Sequence, residues 1–352
     1  MRKIVEVVVA EWLFFLSLSA LLVTSLVFHR LPRISPDELK VVFTLFVFLV
    51  ILRSLELYGV ISQVAAFFER GRWVGVKLVL LTALLSMFVT NDVALITVVP
   101  VTAAMALEGK AFLVTLEAVA ANAGSALSPV GNPQNLFIYY HYDLHLKEFI
   151  SAIGPFSLLL VPLFLLSLKV RSVCLEPPDP PLDGRWKVAV GLFLLFLPVA
   201  LKLLPLYLAF VPLLYALLFD RRLFRVDYFL LGTFIAFFGF TDNLSHGLSL
   251  RLSSGASVFW SSVGLSQVMS NVPAALFVSE FTGRWKELLW GVNVGGFGTL
   301  VASLANLIAY RIYRERVEKG KRFLVLFHAV SFLFLLLGVL LFWALEGYNK
   351  GA

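Results

Sequence analysis

Two short stretches of this chain put amide, hydroxyl and carboxylate groups inside apolar sequence. One is Thr90-Asn91-Asp92, in the middle of FVTNDVAL; the other is ANAGSALSPVGNPQNL, residues 121–136. In the second, Pro129 and Pro133 remove backbone donors, Gly131 frees the backbone, and Asn132 and Asn135 offer it alternative partners. A helix broken in this way leaves carbonyls that coordinate a cation. The amides that open the following half-helix attract an anion. Asp92 adds a carboxylate suited to binding a cation or carrying a proton, although Asn91 or Asp92 also suits a helix N-cap, and both roles stay open.

The elements that must position these groups lie in a bilayer. The chain has 352 residues, 60% hydrophobic and 14% charged, with a mean hydropathy of +0.90. A soluble domain of this length has no way to bury that much apolar surface. Apolar runs recur, among them 8–28, 149–168 and 324–345, and a helical crossing needs about 20 apolar residues. The expected fold is therefore an all-α polytopic membrane protein with nine crossings: 8–28, 41–68, 111–140, 149–170, 187–203, 205–219, 227–250, 286–312 and 322–346. Segments 74–106 and 256–282 each carry a polar kink between two short arms, and read as re-entrant helical hairpins. The start resembles a signal peptide, but Glu11 interrupts it and no small-residue cleavage site follows, so an uncleaved first helix is expected.

Charge orients the crossings. With the amino terminus on one side and the nine crossings alternating, nineteen Lys and Arg fall on that side, nine on the other, and Arg53 inside the membrane, accounting for all 29. The positive-inside rule then gives a cytoplasmic amino terminus and an outer carboxyl terminus. The net charge of +7 reflects these loops and does not indicate nucleic acid. The single cysteine, Cys174, excludes an internal disulfide framework.

The kinked stretches have partners. A shift of 171 sets 121–136 over VNVGGFGTLVASLANL, 292–307, so that Asn122 meets Asn293, Gly124 meets Gly295, Ser128 meets Thr299 and Asn135 meets Asn306. A shift of 180 sets Thr90-Asn91 over Ser270-Asn271, and one of 186 sets Glu56 over Asp242. Three blocks in the same order indicate duplication. The expected organisation is a first repeat, 1–170, with hairpin 74–106 and broken helix 111–140; a Pro-rich cytoplasmic linker, 171–187; and a second repeat, 188–352, with hairpin 256–282 and broken helix 286–312. Five crossings separate Glu56 from Asp242, so the second repeat is inverted. Inverted repeats with discontinuous helices meeting near the midplane are a signature of secondary transporters.

The candidate binding residues are Thr90, Asn91, Asp92, Asn122, Ser128, Gly131, Asn132, Asn135, Ser270, Asn271, Asn293, Thr299 and Asn306. Asp92, Glu56 and Asp242 are the candidates for proton or cation coupling. Arg53 lies three residues before Glu56, which also reads as a neutralising internal pair; Asp242 has His246 four residues on. Glu11, Glu117 and Glu280 read as structural or interfacial. No cofactor or metal-ligand motif appears.

At NDVAL (91–95), ANAGSALSPVGNPQNL, SNVPA (270–274) and GVNVGGFGTLVASLAN (291–306) the chain resembles the ion transporter superfamily. It is most similar to the arsenite permease and silicon efflux branch, related to citrate and dicarboxylate/sodium symporters. The resemblance runs from about residue 40 to 312. It implies a scaffold-and-transport-domain fold, elevator-like motion and a homodimer. It also implies substrate and sodium contacts at hairpin tips that carry Ser-Asn-Thr in the dicarboxylate relatives, here Thr90, Asn91, Asp92 and Ser270, Asn271, Val272. Asp92 and Val272 depart from that pattern, so the dicarboxylate mode is not carried over intact.

The function expected from sequence is a secondary active transporter in the inner membrane, not an enzyme. It would move a small oxyanion or its neutral acid, arsenite- or silicate-like, coupled to H+ or Na+, with no cofactor beyond the coupling ion and a candidate Na+ site at the hairpin tips. The alternatives are a Na+/H+ antiporter using Asp92 and Asp242, and a citrate- or dicarboxylate/Na+ symporter. A passive channel is harder to exclude from sequence, and a flux insensitive to every ion gradient would favour it. An intramembrane hydrolase with Asp92 and Asp242 as a dyad leaves the repeat unexplained.

Overall fold

The computed structural model describes residues 11–69, 73–105, 109–170, 181–247, 251–317 and 321–351. Among them the chain is α-helix with short 3-10 turns and no strand. The helices are α1 Trp12–Val27, α2 Pro36–Leu57, α3 Val60–Glu69, α4 Val74–Val89, α5 Asn91–Ala104, α6 Lys110–Ser125, α7 Pro133–His141, α8 Leu146–Ile153, α9 Leu160–Ser167, α10 Trp186–Ala200, α11 Phe210–Phe219, α12 Tyr228–Gly247, α13 Gly255–Met269, α14 Asn271–Ser279, α15 Trp285–Gly295, α16 Leu304–Arg316 and α17 Lys321–Gly351. Cys174 and most of the expected linker lie outside the described residues.

By length and composition, Leu146–Ser167 and Arg322–Gly347 are the described helices able to cross a bilayer unaided. The expected crossing 41–68 is instead a bent pair, α2 and α3, meeting at 58°. Gly59, at a φ of 81°, makes the bend, and the Tyr58 carbonyl accepts from Asp183 N at 3.2 Å there. The segments expected at 187–203 and 205–219 are shorter apolar helices, Trp186–Ala200 and Leu206–Phe219. Large apolar side chains stand outward on these elements, including Leu165, Leu194, Leu214, Phe219 and Leu336. An apolar shell of that extent suits lipid and not water.

Each segment expected to form a hairpin is a helix–residue–helix unit. Thr90 joins α4 to α5 with φ 76° and ψ 150°, and Ser270 joins α13 to α14 with φ 75° and ψ 156°. Only glycine visits that region without strain, so each tip stores on the order of 1–3 kcal/mol. The broken helices are also present: α6 ends at Ser125 and α7 starts at Pro133, while α15 ends at Gly295 and α16 starts at Leu304. Each hairpin's first arm packs on the first half of a broken helix, α4 on α6 and α13 on α15. Glycine permits the close approach in both places. A Cβ on Gly124 would lie 2.2 Å from the Ala83 carbonyl and 2.5 Å from Ser86 Oγ, and one on Gly295 would lie 2.6 Å from Ser266 Oγ.

Local sequence explains where the helices begin. At α2, Ser35 and Glu38 form a capping box with Pro36 in the first turn. At α7, Asn132 Oδ1 accepts from Asn135 N at 2.8 Å and Pro133 opens the helix, so GNPQN ends one half-helix and starts the next.

Candidate functional site

A buried layer of asparagines holds the two broken helices together. Asn122 Nδ2 donates to the Ala118 carbonyl and, at 2.8 Å, to Asn306 Oδ1. Asn293 Nδ2 donates to the Leu289 carbonyl and, also at 2.8 Å, to Asn135 Oδ1. Each is thus anchored four residues back on its own helix and reaches across to the other broken helix. Asn135 Nδ2 donates to the carbonyls of Ser125, Ala126 and Ser128, and Asn306 Nδ2 to those of Gly296 and Thr299. The same bonds therefore recur at the shift of 171. The carbonyls freed at each break are taken up by the asparagine that follows, which is why irregular backbone survives in this setting.

Hydrogen bonds link this layer to the first hairpin. Asn91 N donates to the Gly131 carbonyl at 3.1 Å, and Asn91 Nδ2 to Asn122 Oδ1 at 3.4 Å. Asn132 Nδ2 reaches Ser125 Oγ and Asn293 Oδ1. At the second break Gln267, on α13, accepts from Thr299 N through Oε1 and donates to the Gly295 and Phe297 carbonyls. Sequence reasoning passed over Gln267, although it stands three residues before Ser270.

Above the asparagines lies a cavity of about 60 Å³. One wall carries Asn91, Asp92, Pro133, Gln134, Ser270, Asn271, Val272, Pro273, Ser303 and Leu304, so α5, α7, α14 and α16 all begin at it. Four helix N-termini facing one space favour negative charge there. The lining is completed from α1 and α12 and the residues just before them, with Glu11, Phe14, Asp227, Leu230 and Thr233. Among the described residues no Lys or Arg lines the cavity, and its charged groups are the carboxylates of Asp92, Asp227 and Glu11.

Asp92 does not cap its helix. Thr90 holds the N-cap position, Asp92 N donates to Asn91 Oδ1 at 3.1 Å, and Asp92 Oδ1 is buried with no hydrogen-bond partner. A carboxylate oxygen left bare in an apolar setting is costly unless a cation or proton joins it.

The expected site residues thus separate by place. Asn91, Asp92, Ser270 and Asn271 line the cavity, and Thr90 and Ser270 are the strained tips. Asn122, Asn132, Asn135, Asn293 and Asn306 form the layer beneath, with Ser128, Gly131 and Thr299 entering through their backbone carbonyls. Glu56 and Asp242 do not join them. Glu56 Oε2 pairs with Arg53 at 2.6 Å, the neutralising pair read from their spacing. Asp242 is held by Arg30 at 3.0 Å and by Arg33 N at 2.8 Å, while His246 is exposed. Of the acids read as structural or interfacial, Glu11 lies on the cavity wall, because α1 packs along α12 and brings its first turn beside Asp227. Glu117, on α6, is fully buried.

Comparison with known proteins agrees with this architecture. The chain is 31% identical to an uncharacterized transporter of Methanocaldococcus jannaschii, over 89% of this chain and 92% of that protein. It is 35% identical to the inner membrane protein YbiR of Escherichia coli over 71% of this chain and 72% of that one. It is 23% identical to the magnetosome protein MamN of Magnetospirillum gryphiswaldense over 71% and 69%. Residues 6–282 match the family described as Citrate transporter, so the chain belongs to the citrate transporter family of membrane transporters.

Proposed function

We propose that this chain is a secondary active transporter of a small oxyanion or its neutral acid, arsenite- or silicate-like, coupled to H+ or Na+. The observation that carries the reading is the cavity between two hairpin tips and two helix breaks, where four half-helices begin. The helix ends and side-chain amides there recognise an oxyacid without a basic residue, and Asp92, with its bare Oδ1, takes the coupling cation or proton. A water needs about 10–15 Å³ of such space, so the cavity of about 60 Å³ holds roughly four to six water-sized groups, which suits a compact oxyacid better than a tricarboxylate.

The reading includes an inverted repeat, 1–170 and 188–352 about a linker at 171–187, and nine crossings with a cytoplasmic amino terminus. It is supported by contacts that join residues of like assigned side: Lys202 meets Asp143 and Tyr142 meets Thr282 on the outer side, and Arg185 meets Asp220 on the cytoplasmic side. An inner-membrane location follows the name of the Escherichia coli relative. The homodimer and elevator motion follow from the superfamily resemblance.

Two other readings have support of their own. Three carboxylates around the cavity favour a Na+/H+ antiporter, and the family description favours a carboxylate/Na+ symporter. Proteoliposomes with an imposed pH or Na+ gradient separate them. Uptake of arsenite or silicate supports the first reading, sodium-driven proton flux with no other solute the second, and citrate or succinate uptake the third. Vesicles that move none of these under either gradient would end the transporter proposal.

A further inference from the structure

We infer that Glu117 is a second proton-binding site, separate from the cavity, which protonates and deprotonates within the transport domain. The inference rests on the transporter reading for its purpose but not for its test. Glu117 lies on α6, about 10 Å along the helix from Lys110 at 1.5 Å per residue, and its side chain is fully buried. The Thr102 hydroxyl, on α5, donates to Oε1, while Oε2 is buried with no partner. A carboxyl sealed in an apolar interior with one bare oxygen is a place to hold a proton, and Oε2 is the atom that holds it.

The second half of the chain shows that the fold does not need an acid here. At the shift of 171 Glu117 meets Leu288, also fully buried, five residues before Asn293 as Glu117 is five before Asn122. The same helix position is therefore filled by leucine in one half and by a carboxyl in the other. Burying the carboxyl is the costlier choice, so a role beyond packing explains it.

Position connects Glu117 to the site. Thr102 is on the hairpin arm whose tip carries Asn91 and Asp92, and Asn122 lies one and a half turns further along α6. Proton binding at Oε2 thus acts where the hairpin arm meets the broken helix. The helices packed against α6 carry Lys77 (α4), Asp92 (α5), Tyr310, Tyr313 and Glu315 beside the three arginines (α16), and Arg322, His328 and Glu346 (α17), with Lys110 on α6 itself; of these Tyr310 and Tyr313 pack in one cluster with Ala111, Val114 and Ala118 of α6. Lys110 Nζ donates to the Ala103 carbonyl and His328 Nδ1 meets the Leu324 carbonyl, and Arg311, Arg314 and Arg316 of α16 are exposed.

The test uses infrared difference spectra of the purified full-length protein as pH is stepped from acid to alkaline, with the proton as the only ligand. The expected result is a carboxylic-acid carbonyl band that fades as pH rises, is missing in Glu117→Gln and returns, shifted, in Glu117→Asp. A wild-type spectrum identical to that of Glu117→Gln, or a Glu117 band that stays constant at every pH, would overturn the inference. Glu117→Leu provides a check on folding: matching the second half, it should unfold at a temperature equal to or above wild type, and a marked fall would show the carboxyl to be structural. None of these readouts needs a transported solute, so a silent flux assay and a silent Glu117 are separate results.

Discussion

Asn122 Nδ2 donates to Asn306 Oδ1 at 2.8 Å, and Asn293 Nδ2 donates to Asn135 Oδ1 at the same distance. Through this pair of bonds each broken helix supplies one donor and one acceptor to the other, and Asn132 Nδ2 adds a further donor to Asn293 Oδ1 at 3.3 Å. The two breaks are therefore one polar layer, and the cavity rests on it. Sliding one broken helix past the other would strand four amide groups, which argues that the two breaks move together.

Removing one member of this layer leaves its partner unsatisfied in an apolar interior. Asn122→Ala and Asn306→Ala should each lower stability by about 1–3 kcal/mol, and the double variant should fall well short of their sum. Chemical unfolding in detergent measures both quantities. Additive losses would show that the pair does not act as a unit.

The hairpin tips lead to the opposite kind of outcome. Thr90 and Ser270 hold backbone angles that glycine adopts without strain. Thr90→Gly and Ser270→Gly should therefore raise thermal stability, by about 1–3 kcal/mol each less the extra chain entropy of glycine, while weakening the site. A lower unfolding temperature in both variants would mean that the hydroxyls hold the tips through contacts that outweigh the strain.

Away from the cavity, Asp220 ties together the ends of α2, α10 and α11. It accepts from Arg222 at 2.7 Å, from Arg185 at 2.9 Å and from the Tyr58 hydroxyl at 3.1 Å. Arg222 first, with the Tyr58 hydroxyl adding to it, holds its carboxyl well below the usual carboxylate range, against a smaller opposing effect of burial. Because the folded value is depressed, this contribution to stability is fully present above the unfolded Asp value of about 3.9 and disappears as pH falls through the folded one. Wild type should lose stability on acidification below about pH 4 more steeply than Asp220→Asn, which starts lower. Parallel curves would remove Asp220 from the acid response.

Much of this was legible in the sequence, and the parts that were not share a cause. Both hairpins and both breaks could be read because Pro, Gly and Asn inside apolar runs have few structural excuses, and their pairing at fixed shifts made chance an inadequate explanation. Asp92 was legible for the same reason. Asp227 and Glu11 were not, because they belong to α1 and α12, far from the motifs in sequence, and reach the cavity only through tertiary packing. Glu56 and Asp242 lie away from the cavity, each beside an arginine. An acid in an apolar run draws attention, but Arg53 is one helical turn away, and Arg30 becomes a neighbour of Asp242 only in the fold. Glu117 was read only as structural or interfacial, because nothing in KAFLVTLEAVAANAG distinguishes a helix face turned inward from one turned to lipid.

Asp92→Asn keeps the shape of the side chain and removes its charge. In vesicles that take up a solute under a pH or Na+ gradient, the variant should lose gradient-driven accumulation while still exchanging the solute at equilibrium. Unchanged accumulation would move the coupling role to Asp227 or Glu11.

The central claim, that the cavity between the hairpin tips and the breaks is where the solute binds, is tested most directly by thermal unfolding of the detergent-purified protein. The panel is sodium, arsenite, silicate, phosphate, citrate and succinate, each at two pH values. A ligand present at 100 times its Kd adds about 2.7 kcal/mol. The account predicts stabilisation by at least one of these solutes in wild type and its loss in Asn91→Ala and Asn271→Ala. A solute that stabilises wild type and both variants equally would place the binding site elsewhere and contradict the account.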